Sequence, residues 1–415
     1  MGTFRAARER PLLWAGAAFA VSLAAYLVVR WFAAPSSIDL AVYRVEGAAI
    51  RNGVDLYGRL ATPKGLDATY PPFAAIVFVP FSYLAWAVVE TIGVVVNLAL
   101  LLVVCDQATR LAGVRMPNRY AAALVLAAVG LWAEPVWTTL RYGQVNLALL
   151  ALIQWDFLRP STARTRGLGI GIATGVKVTP GLFVVYLLIT RRFRMAINAA
   201  VAFALTVAVS AAIVPSATWR FWTKLLWDSS RVGRLEDAAN QSIRGVLARL
   251  YHGRDVPSAW ELLIVAVLIG GLWCARYVYL RIGDAWAVPV CGVTGLLVAP
   301  IAWTHHWVWC LPIAALLWMQ RRRWTPVVLV FWSFAVWAVP HVAPAERHFA
   351  LWQTALSGWY VLGGLVFIAL AADTARRVSC RGDGPADDGG QGARPGRPAA
   401  AAAPAPAPRS RRVPR

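Results

Sequence analysis

The sequence predicts an all-α integral membrane protein that crosses the bilayer about twelve times. Hydrophobic residues make up 59% of the 415-residue chain and charged residues only 15%, whereas a soluble domain has roughly 25% charged residues. Apolar stretches long enough to cross the hydrocarbon core, about 20 residues, recur from Leu12 to Ala372. The 21 tryptophans agree with this class, because tryptophan collects at membrane interfaces.

The apolar stretches set the order of the predicted spans. An even number returns both chain ends to the cytoplasm and places the arginine clusters at 191–194 and 321–323 inside, as the positive-inside rule requires. The same count leaves the arginines of 110–119 and 159–166 outside, against that rule. Because a lysine also falls in mid-span, we expect half-helices or re-entrant segments in 110–190. The predicted spans are 12–34, 71–89, 91–109, 120–137, 145–158, 167–189, 195–214, 258–280, 285–304, 307–320, 324–340 and 351–372.

Two long polar stretches, 35–70 and 215–257, separate the apolar runs and are predicted to lie outside the membrane. In the first, two serines precede a helical apolar pattern that stops at Asn52 and Gly53. This pattern predicts a helix that lies along the membrane interface. The transmembrane domain with these loops therefore covers 1–372.

Residues 373–415 are rich in glycine, proline, alanine and arginine, which predicts a disordered cytoplasmic tail because such a segment buries too little apolar surface to offset chain entropy. The net charge of +21 lies in this tail and in short clusters between apolar runs. That distribution indicates membrane orientation and contact with anionic lipids, and argues against nucleic-acid binding. The five cysteines are scattered singly, which predicts neither a disulfide framework nor a zinc site.

Four charged or titratable residues are candidates for chemistry. Asp39 follows the first predicted span, where an acid can act as a general base or simply stabilise the first turn of a helix. His305 and His306 can bind a phosphate or relay a proton, or belong to the interfacial aromatic belt. Adjacent helical residues do not face one cavity, and of the two we favour His305. Lys177 interrupts an apolar run, as functional residues do, with snorkelling from a half-helix as the alternative.

Amide side chains form a second group of candidates. Gln144 and Asn146 precede an apolar run, where amides suit sugar hydroxyls because they both donate and accept, or link neighbouring helices. Gln241 lies in the polar stretch 215–257, whose excess of positive charge favours an anionic ligand or reflects an ordinary solvated loop.

Taken in order, these motifs resemble glycosyltransferase family 87. The resemblance covers residues 12–372 and implies the C-type glycosyltransferase fold, in which a sugar is taken from a polyprenyl-phosphate donor on the outer face of the membrane. The motifs that carry it are Asp-Leu-Ala-Val-Tyr-Arg from Asp39, Tyr-Pro-Pro-Phe from Tyr70, Tyr-Gly-Gln-Val-Asn from Tyr142, Gly-Val-Lys-Val-Thr-Pro from Gly175, Asn-Gln-Ser from Asn240 and His-His-Trp from His305.

By this resemblance Asp39 occupies the place of the catalytic aspartate, and His305 or His306 that of a histidine near the donor phosphate. Lys177 is expected to bind the same phosphate. The leaving group of this donor is a single phosphate, and no metal ion is needed to hold a diphosphate. We therefore expect neither a metal nor another cofactor. Sugar or acceptor binding is assigned to Tyr43, Tyr70, Gln144, Asn146 and Gln241.

The predicted function is transfer of mannose from polyprenyl-phosphate-mannose to a glycolipid or lipoglycan acceptor, forming an α-1,2 link with inversion at the extracytoplasmic face of the cell membrane. A second hypothesis is a multi-pass transporter or flippase of lipid-linked sugars, a class in which repeated halves are common, and the sequence contains no evident repeat. A third is a ligase or polymerase of undecaprenyl-linked glycans.

Overall fold

The computed structural model describes residues 2–33, 36–116, 118–254, 257–320, 322–341 and 343–382, and these residues form helices and loops with no β-strand. The predicted all-α class is confirmed. The α-helices are α1 (Gly2–Phe32), α2 (Ile38–Arg51), α3 (Pro72–Phe78), α4 (Trp86–Leu111), α5 (Asn118–Gly130), α6 (Glu134–Tyr142), α7 (Asn146–Leu158), α8 (Leu168–Val176), α9 (Leu182–Ile189), α10 (Phe193–Ile213), α11 (Pro215–Thr223), α12 (Ile243–Leu250), α13 (Ala259–Ile282), α14 (Asp284–Val298), α15 (Cys310–Gln320), α16 (Leu351–Ser357) and α17 (Trp359–Gly382). Short 3-10 helices cover Pro63–Gly65, Val79–Tyr83, Thr179–Gly181, Leu225–Trp227, Ser229–Val232, Thr304–Trp309, Arg322–Trp332, Ala335–Trp337 and Ala345–His348.

Four of these helices are long and apolar enough to cross a membrane, namely α1 from Pro11 onward, α4, α10 and α13. The number rises to six if each of two bent pairs counts as one span, α5 with α6 (75°) and α16 with α17 (62°). The chain is therefore a multi-pass membrane protein. Within the described residues, the helices that meet this criterion are fewer than the twelve predicted spans.

The predicted spans 71–89 and 91–109 are replaced by a different arrangement. α3 and the 3-10 helix after it form one short apolar segment, Pro72–Tyr83. Pro80 lies at the start of that 3-10 helix, where its missing N–H ends the preceding α-helix. α4 then runs for 26 residues, so one long span lies where two were predicted.

One end of the molecule gathers the start of α2, the start of α4 and the end of α6. Ser37, just before α2, donates its hydroxyl to Glu90 of α4 at 2.6 Å and its backbone N–H to the carbonyl of Arg141 at 2.9 Å. Arg30 of α1 lies 3.7 Å from the same Glu90 carboxylate. Because a helix of this length extends about 39 Å, the last residues of α4 lie at the opposite end.

The opposite end collects the arginine-rich turns. Asn198 of α10 donates to the carbonyls of Arg164 and Arg166, at 2.8 Å each, so the turn between α7 and α8 lies beside the turn before α10. α4 ends there too, in a further arginine-rich turn. The sequence-based count put the arginines of 110–119 and 159–166 on the other face. The structure instead places the turn 159–166 and the end of α4 away from Asp39, and which end faces the cytoplasm stays a prediction.

The predicted span 167–189 is broken at Lys177. α8 ends just before this lysine, whose backbone is extended (φ −148°, ψ 128°), and Thr179–Gly181 forms a 3-10 turn before α9. Pro180 in that turn has no N–H with which to continue the helix. The half-helices expected in this region are present, and the break brings Lys177 to the end of the molecule that contains Asp39.

The carboxyl-terminal part differs from the prediction in two ways. α17 continues through the predicted tail boundary at 373 to Gly382, while 383–415 lies outside the described residues, as does Arg321 of the predicted arginine cluster. The predicted span 324–340 consists of 3-10 helices, Arg322–Trp332 and Ala335–Trp337, in place of an α-helix.

The main core lies between α4, α7, α14 and α15, with Trp286 and Trp307 as its largest fully buried side chains. A smaller apolar cluster, which includes Leu40, Tyr43 and Phe78, packs α2 against α3. This second cluster anchors the helix that bears Asp39 to the bundle.

Candidate active site

Asp39 lies in the first turn of α2, and the helix predicted there from the sequence is confirmed. The dipole at a helix amino terminus favours a negative charge at this position. Four residues later, the buried ring of Tyr43 stacks on Phe78 of α3 with ring centres 4.3 Å apart. Asp39, a partly buried residue, therefore lies on a helix whose other face is packed.

The segment 142–146 turns the chain from α6 into α7 beside this helix. Gly143 ends α6 with left-handed backbone angles (φ 73°, ψ 38°), and a Cβ added there would lie 2.6 Å from the Cβ of Leu40. Only glycine satisfies both the backbone angle and the close approach. The turn leaves Gln144 facing α2 and Asn146 facing the segment that contains the two histidines.

Three predicted sugar-binding residues meet around Asp39 and contact one another. The Oε1 atom of Gln144 accepts the hydroxyl of Tyr43 at 2.8 Å and that of Tyr70 at 3.1 Å. The two hydroxyls are themselves 3.1 Å apart. The side-chain amide of Gln144 also acts on Asp39, where hydrogen bonding from it lowers the pKa of the carboxyl group. These side chains are thus engaged with each other and with the carboxyl group.

Lys177 completes this group from the break between α8 and α9. Its Nζ lies 2.7 Å from Nε2 of His306 and 3.3 Å from Oδ1 of Asn146. It also lies 5.4 Å from the ring centre of Tyr70, and its charge acts on Asp39. The residues predicted as base and as phosphate ligand therefore share one site.

His306 contacts two neighbours through its ring nitrogen atoms. Its Nδ1 accepts the backbone N–H of Trp303 at 3.2 Å, and its Nε2 lies 2.7 Å from Nζ of Lys177. The ring therefore links the segment that contains Trp303 to Lys177.

His305 contributes through its backbone. Its carbonyl accepts the hydroxyl of Thr139 at 3.0 Å and the amide of Asn146 at 2.9 Å. Its buried ring packs edge-on against Tyr142, with ring centres 5.8 Å apart, and its Nε2 has no hydrogen-bond partner. The geometry thus favours His306 over His305 as the side chain that faces a ligand.

A cavity of about 50 Å³ opens beside Lys177 and His306. Asn146 joins these two residues at its polar end, while α7, α9 and α14 supply apolar walls that include Phe183 and Leu296. A polar end that continues into an apolar cleft suits a ligand that has an anionic head and a hydrocarbon chain.

The two carboxyl groups on α2 differ in their ionisation. Burial raises the pKa of Asp39 to about 6, against the hydrogen bond from Gln144 and the charge of Lys177, which lower it. Burial and then the charge of Asp39 raise the pKa of Glu46 to about 8, and neither of its oxygens has a hydrogen-bond partner. At neutral pH Asp39 is therefore a carboxylate, and Glu46 is a neutral acid.

Gln241 lies outside this group, and its predicted contact with a sugar disagrees with its surroundings. Its amide nitrogen donates to the carbonyls of Ala238 and Ser357, and its Oε1 accepts the N–H of Tyr360 at 3.3 Å. The side chain is fully buried, so backbone groups occupy its polar atoms.

Further residues support the site: Asn240 belongs to the Asn-Gln-Ser motif, whereas sequence reasoning missed Trp303 and Thr139. Asn240 accepts the N–H of Ala302 at 3.0 Å and so holds the segment that leads to the histidines. Trp303 acts through its backbone N–H and Thr139 through one hydroxyl, and neither role leaves a pattern in the sequence. Within the described residues, no group of three or more His, Cys, Asp or Glu side chains comes together.

Comparison with known proteins assigns the site to a family. The profile of glycosyltransferase family 87 matches residues 68–300, which is more than half of the chain. The chain belongs to glycosyltransferase family 87. The resemblance seen in the sequence motifs is confirmed, and this glycosyltransferase carries its candidate site within and just outside the matched segment.

Curated relatives of this glycosyltransferase come from mycobacteria. A polyprenol-phosphate-mannose-dependent alpha-(1-2)-phosphatidylinositol mannoside mannosyltransferase of Mycobacterium tuberculosis is 32% identical, over 90% of this chain and 94% of the relative. The corresponding pentamannoside mannosyltransferase of the same species is 33% identical, over 81% and 80%. An alpha-(1->3)-arabinofuranosyltransferase of M. tuberculosis is 29% identical over 56% and 54%. No solved structure matches the chain.

Proposed function

We propose that this glycosyltransferase transfers mannose from polyprenyl-phosphate-mannose to a phosphatidylinositol mannoside, forming an α-1,2 link with inversion. The observation that carries the proposal is that the pair of Lys177 and His306 lines an apolar cavity, while Lys177 also acts on Asp39. The names of the relatives supply the sugar and the acceptor class. Membership of a glycosyltransferase family removes the basis for the transporter hypothesis.

The donor phosphate binds Lys177 and His306 in this proposal. Both side chains present nitrogen atoms to the polar end of the cavity, and arrival of a phosphate stabilises the protonated form of the lysine. The apolar walls below are suited to the first isoprene units of the donor. As the phosphate leaves, its charge grows, and cationic donors aimed at that oxygen lower the barrier.

Asp39 is the general base. It takes the proton of the acceptor hydroxyl while that oxygen attacks the anomeric carbon of mannose. The bond between that carbon and the phosphate oxygen breaks, and polyprenyl phosphate leaves with the electron pair. Double displacement with retention would need a second carboxylate about 5 Å from the first. Glu46 lies seven residues further along α2, about 10 Å away along its axis, and is protonated.

The overall architecture belongs to the same proposal. We infer a C-type glycosyltransferase fold with about twelve crossings, in which shorter apolar segments such as Asn146–Leu158 and Asp284–Val298 complete the count begun by the long helices. The end with Asp39 then faces outward, because the arginine-rich turns gather at the other end and cytoplasmic loops carry an excess of such residues.

The test is direct transfer. Purified protein, incubated with polyprenyl-phosphate-mannose that carries a labelled sugar and with phosphatidylinositol mannosides, should move the label to the glycolipid in a linkage cleaved by an α-1,2-mannosidase. Asp39→Asn keeps the size of the side chain but accepts no proton, so kcat should fall by about 10²–10⁴-fold.

Asp67→Asn is the matched control, because Asp67 is exposed in the same outer stretch, and this variant should keep the wild-type rate. The proposal is wrong if the wild-type protein transfers no label, or if Asp39→Asn transfers it as fast as the wild type.

A further inference from the structure

We infer that Gln144 is a positioning residue for the base: Tyr43 and Tyr70 hold its amide so that only N–H donors face Asp39, which keeps that side chain ionised. This inference rests on the proposed function and deepens it. It also changes the expected role of these three residues, which the sequence analysis assigned to sugar or acceptor binding.

The hydrogen bonds determine which way the amide points. Tyr43 is fully buried, Gln144 is 4% exposed, and both tyrosine hydroxyls lie within 3.1 Å of the Gln144 oxygen. A hydroxyl needs an acceptor, and an amide nitrogen is only a donor. With the amide reversed, its NH₂ could donate to the two hydroxyl oxygens, but one hydroxyl proton would lack an acceptor and the amide oxygen would face a carboxylate.

The orientation of the amide is therefore a consequence of the two tyrosines. Gly143 supports it from the backbone, since the tight approach to Leu40 sets the distance between the 142–146 turn and α2. The amide nitrogen of Gln144 is left to donate toward Asp39. A hydrogen bond to a charged group is among the stronger ones in proteins, so this donor opposes the cost of burying the carboxylate.

The other groups that face Asp39 come from every element around it. Lys177 approaches from the break after α8 and stabilises the carboxylate. Tyr142 at the end of α6 and Glu46 on α2 feel its charge, as do Tyr43 and Tyr70. Burial raises the pKa of Asp39, and the hydrogen bond from Gln144 is the first of the two influences that lower it.

The test is the pH profile of transfer. Only ionised Asp39 can accept a proton, so the acid limb of kcat/KM against pH reports its pKa in the free enzyme. Gln144→Met removes the donor at nearly constant volume, which raises that pKa and moves the acid limb upward by about one pH unit. At a pH below the acid limb, the rate of transfer by Gln144→Met should be about tenfold lower than that of the wild type. On the alkaline plateau the variant should recover most of the wild-type rate.

A second variant keeps Gln144 and removes its orientation. The double substitution Tyr43→Phe with Tyr70→Phe should shift the acid limb in the same direction by a smaller amount. Tyr57→Phe is the matched control, because this hydroxyl donates to the backbone carbonyl of Tyr70 at 2.8 Å and does not reach Gln144. Its acid limb should coincide with that of the wild type.

The outcomes separate the two proposals. If the wild-type protein transfers no mannose, the proposed function fails. If the wild type transfers mannose but the acid limbs of Gln144→Met and of the double tyrosine variant stay in place, whatever the change in plateau rate, Gln144 does not position the base.

Discussion

Asp39 and Glu46 lie seven residues apart on α2 and have different surroundings. Asp39 has a hydrogen-bond donor in Gln144 and a nearby lysine, whereas Glu46 is 1% exposed and both of its oxygens lack a partner. A carboxyl group in such a site keeps its proton, because ionisation without a partner is costly. This difference favours Asp39 over Glu46 as the proposed base.

At the same scale, the two histidines should respond unequally to substitution. His306→Ala removes the ring that contacts Lys177 at 2.7 Å and lines the cavity, so kcat/KM for polyprenyl-phosphate-mannose should fall by about 10²-fold. His305→Ala retains the backbone carbonyl that Thr139 and Asn146 bind, and its loss should be several-fold at most. Initial rates at varied donor concentration measure both.

His305→Ala also serves as the control for general damage to the segment, because the two residues are adjacent. A larger loss for His305→Ala than for His306→Ala would restore the preference drawn from the sequence and contradict the geometry.

At the scale of elements, the sequence predicts α2 well and the region after it poorly. Helix signals around 36–52 are local, with serines before the helix and a glycine after it, and the helix Ile38–Arg51 follows them. In 71–109 an apolar run continues through Pro80 with few polar residues to mark a boundary. Composition there does not distinguish a short apolar segment from a full span. The sequence therefore predicts two spans where the structure has one long helix, α4.

The site shows the same contrast between local and long-range information. Asp39, Lys177 and the histidines stand out as charged or titratable residues within apolar sequence, and they do meet. Gln144 reaches Tyr43 across more than 100 positions of sequence, and no local pattern reveals that contact. Gln241 was assigned with them because it is polar and belongs to a motif, yet tertiary packing surrounds it with backbone groups.

The turn between α6 and α7 offers a prediction about how an element controls the base. Gly143→Ala places a methyl group 2.6 Å from the Cβ of Leu40, next to Asp39, and requires a left-handed backbone angle that costs about 1–2 kcal/mol. α2 must shift, and small displacements of a catalytic group cost about 10²-fold in rate. kcat should fall by that order, with a lower thermal unfolding temperature.

Gly53→Ala is the matched control for this experiment. Gly53 also has a left-handed backbone (φ 64°), but nothing lies within 4 Å of an added Cβ, so stability should decline to a similar extent while kcat is retained. Equal rates for the two variants would show that the contact of Gly143 with α2 does not set the position of the base.

At the scale of the whole molecule, the arginine-rich turns and the candidate site lie at opposite ends. The turn between α7 and α8 joins the turn before α10 through Asn198 and Arg194, whereas Asp39 lies at the end where α2 meets α6. The sequence-based count had put the turn at 159–166 on the outer side. With the turn and the site at opposite ends, an orientation that has the site outside agrees with the positive-inside rule, and we expect the turn to be cytoplasmic.

Labelling with a membrane-impermeant maleimide in intact cells distinguishes the two topologies. Four cysteines are buried, so a Cys380→Ser background suffices for single-cysteine variants at exposed positions. Ser230→Cys, in the polar stretch 215–257, should react from outside. Thr162→Cys, in the turn between α7 and α8, should react only after the cells are permeabilised, because its carbonyl lies beside Arg194 at the arginine-rich end.

Reaction of Thr162→Cys in intact cells, with none at Ser230→Cys, would show the opposite orientation, with Asp39 on the cytoplasmic side. In that orientation the arginine-rich end would face outward, against the positive-inside rule on which the predicted orientation rests, and the polyprenyl-linked donor would be used on the cytoplasmic side.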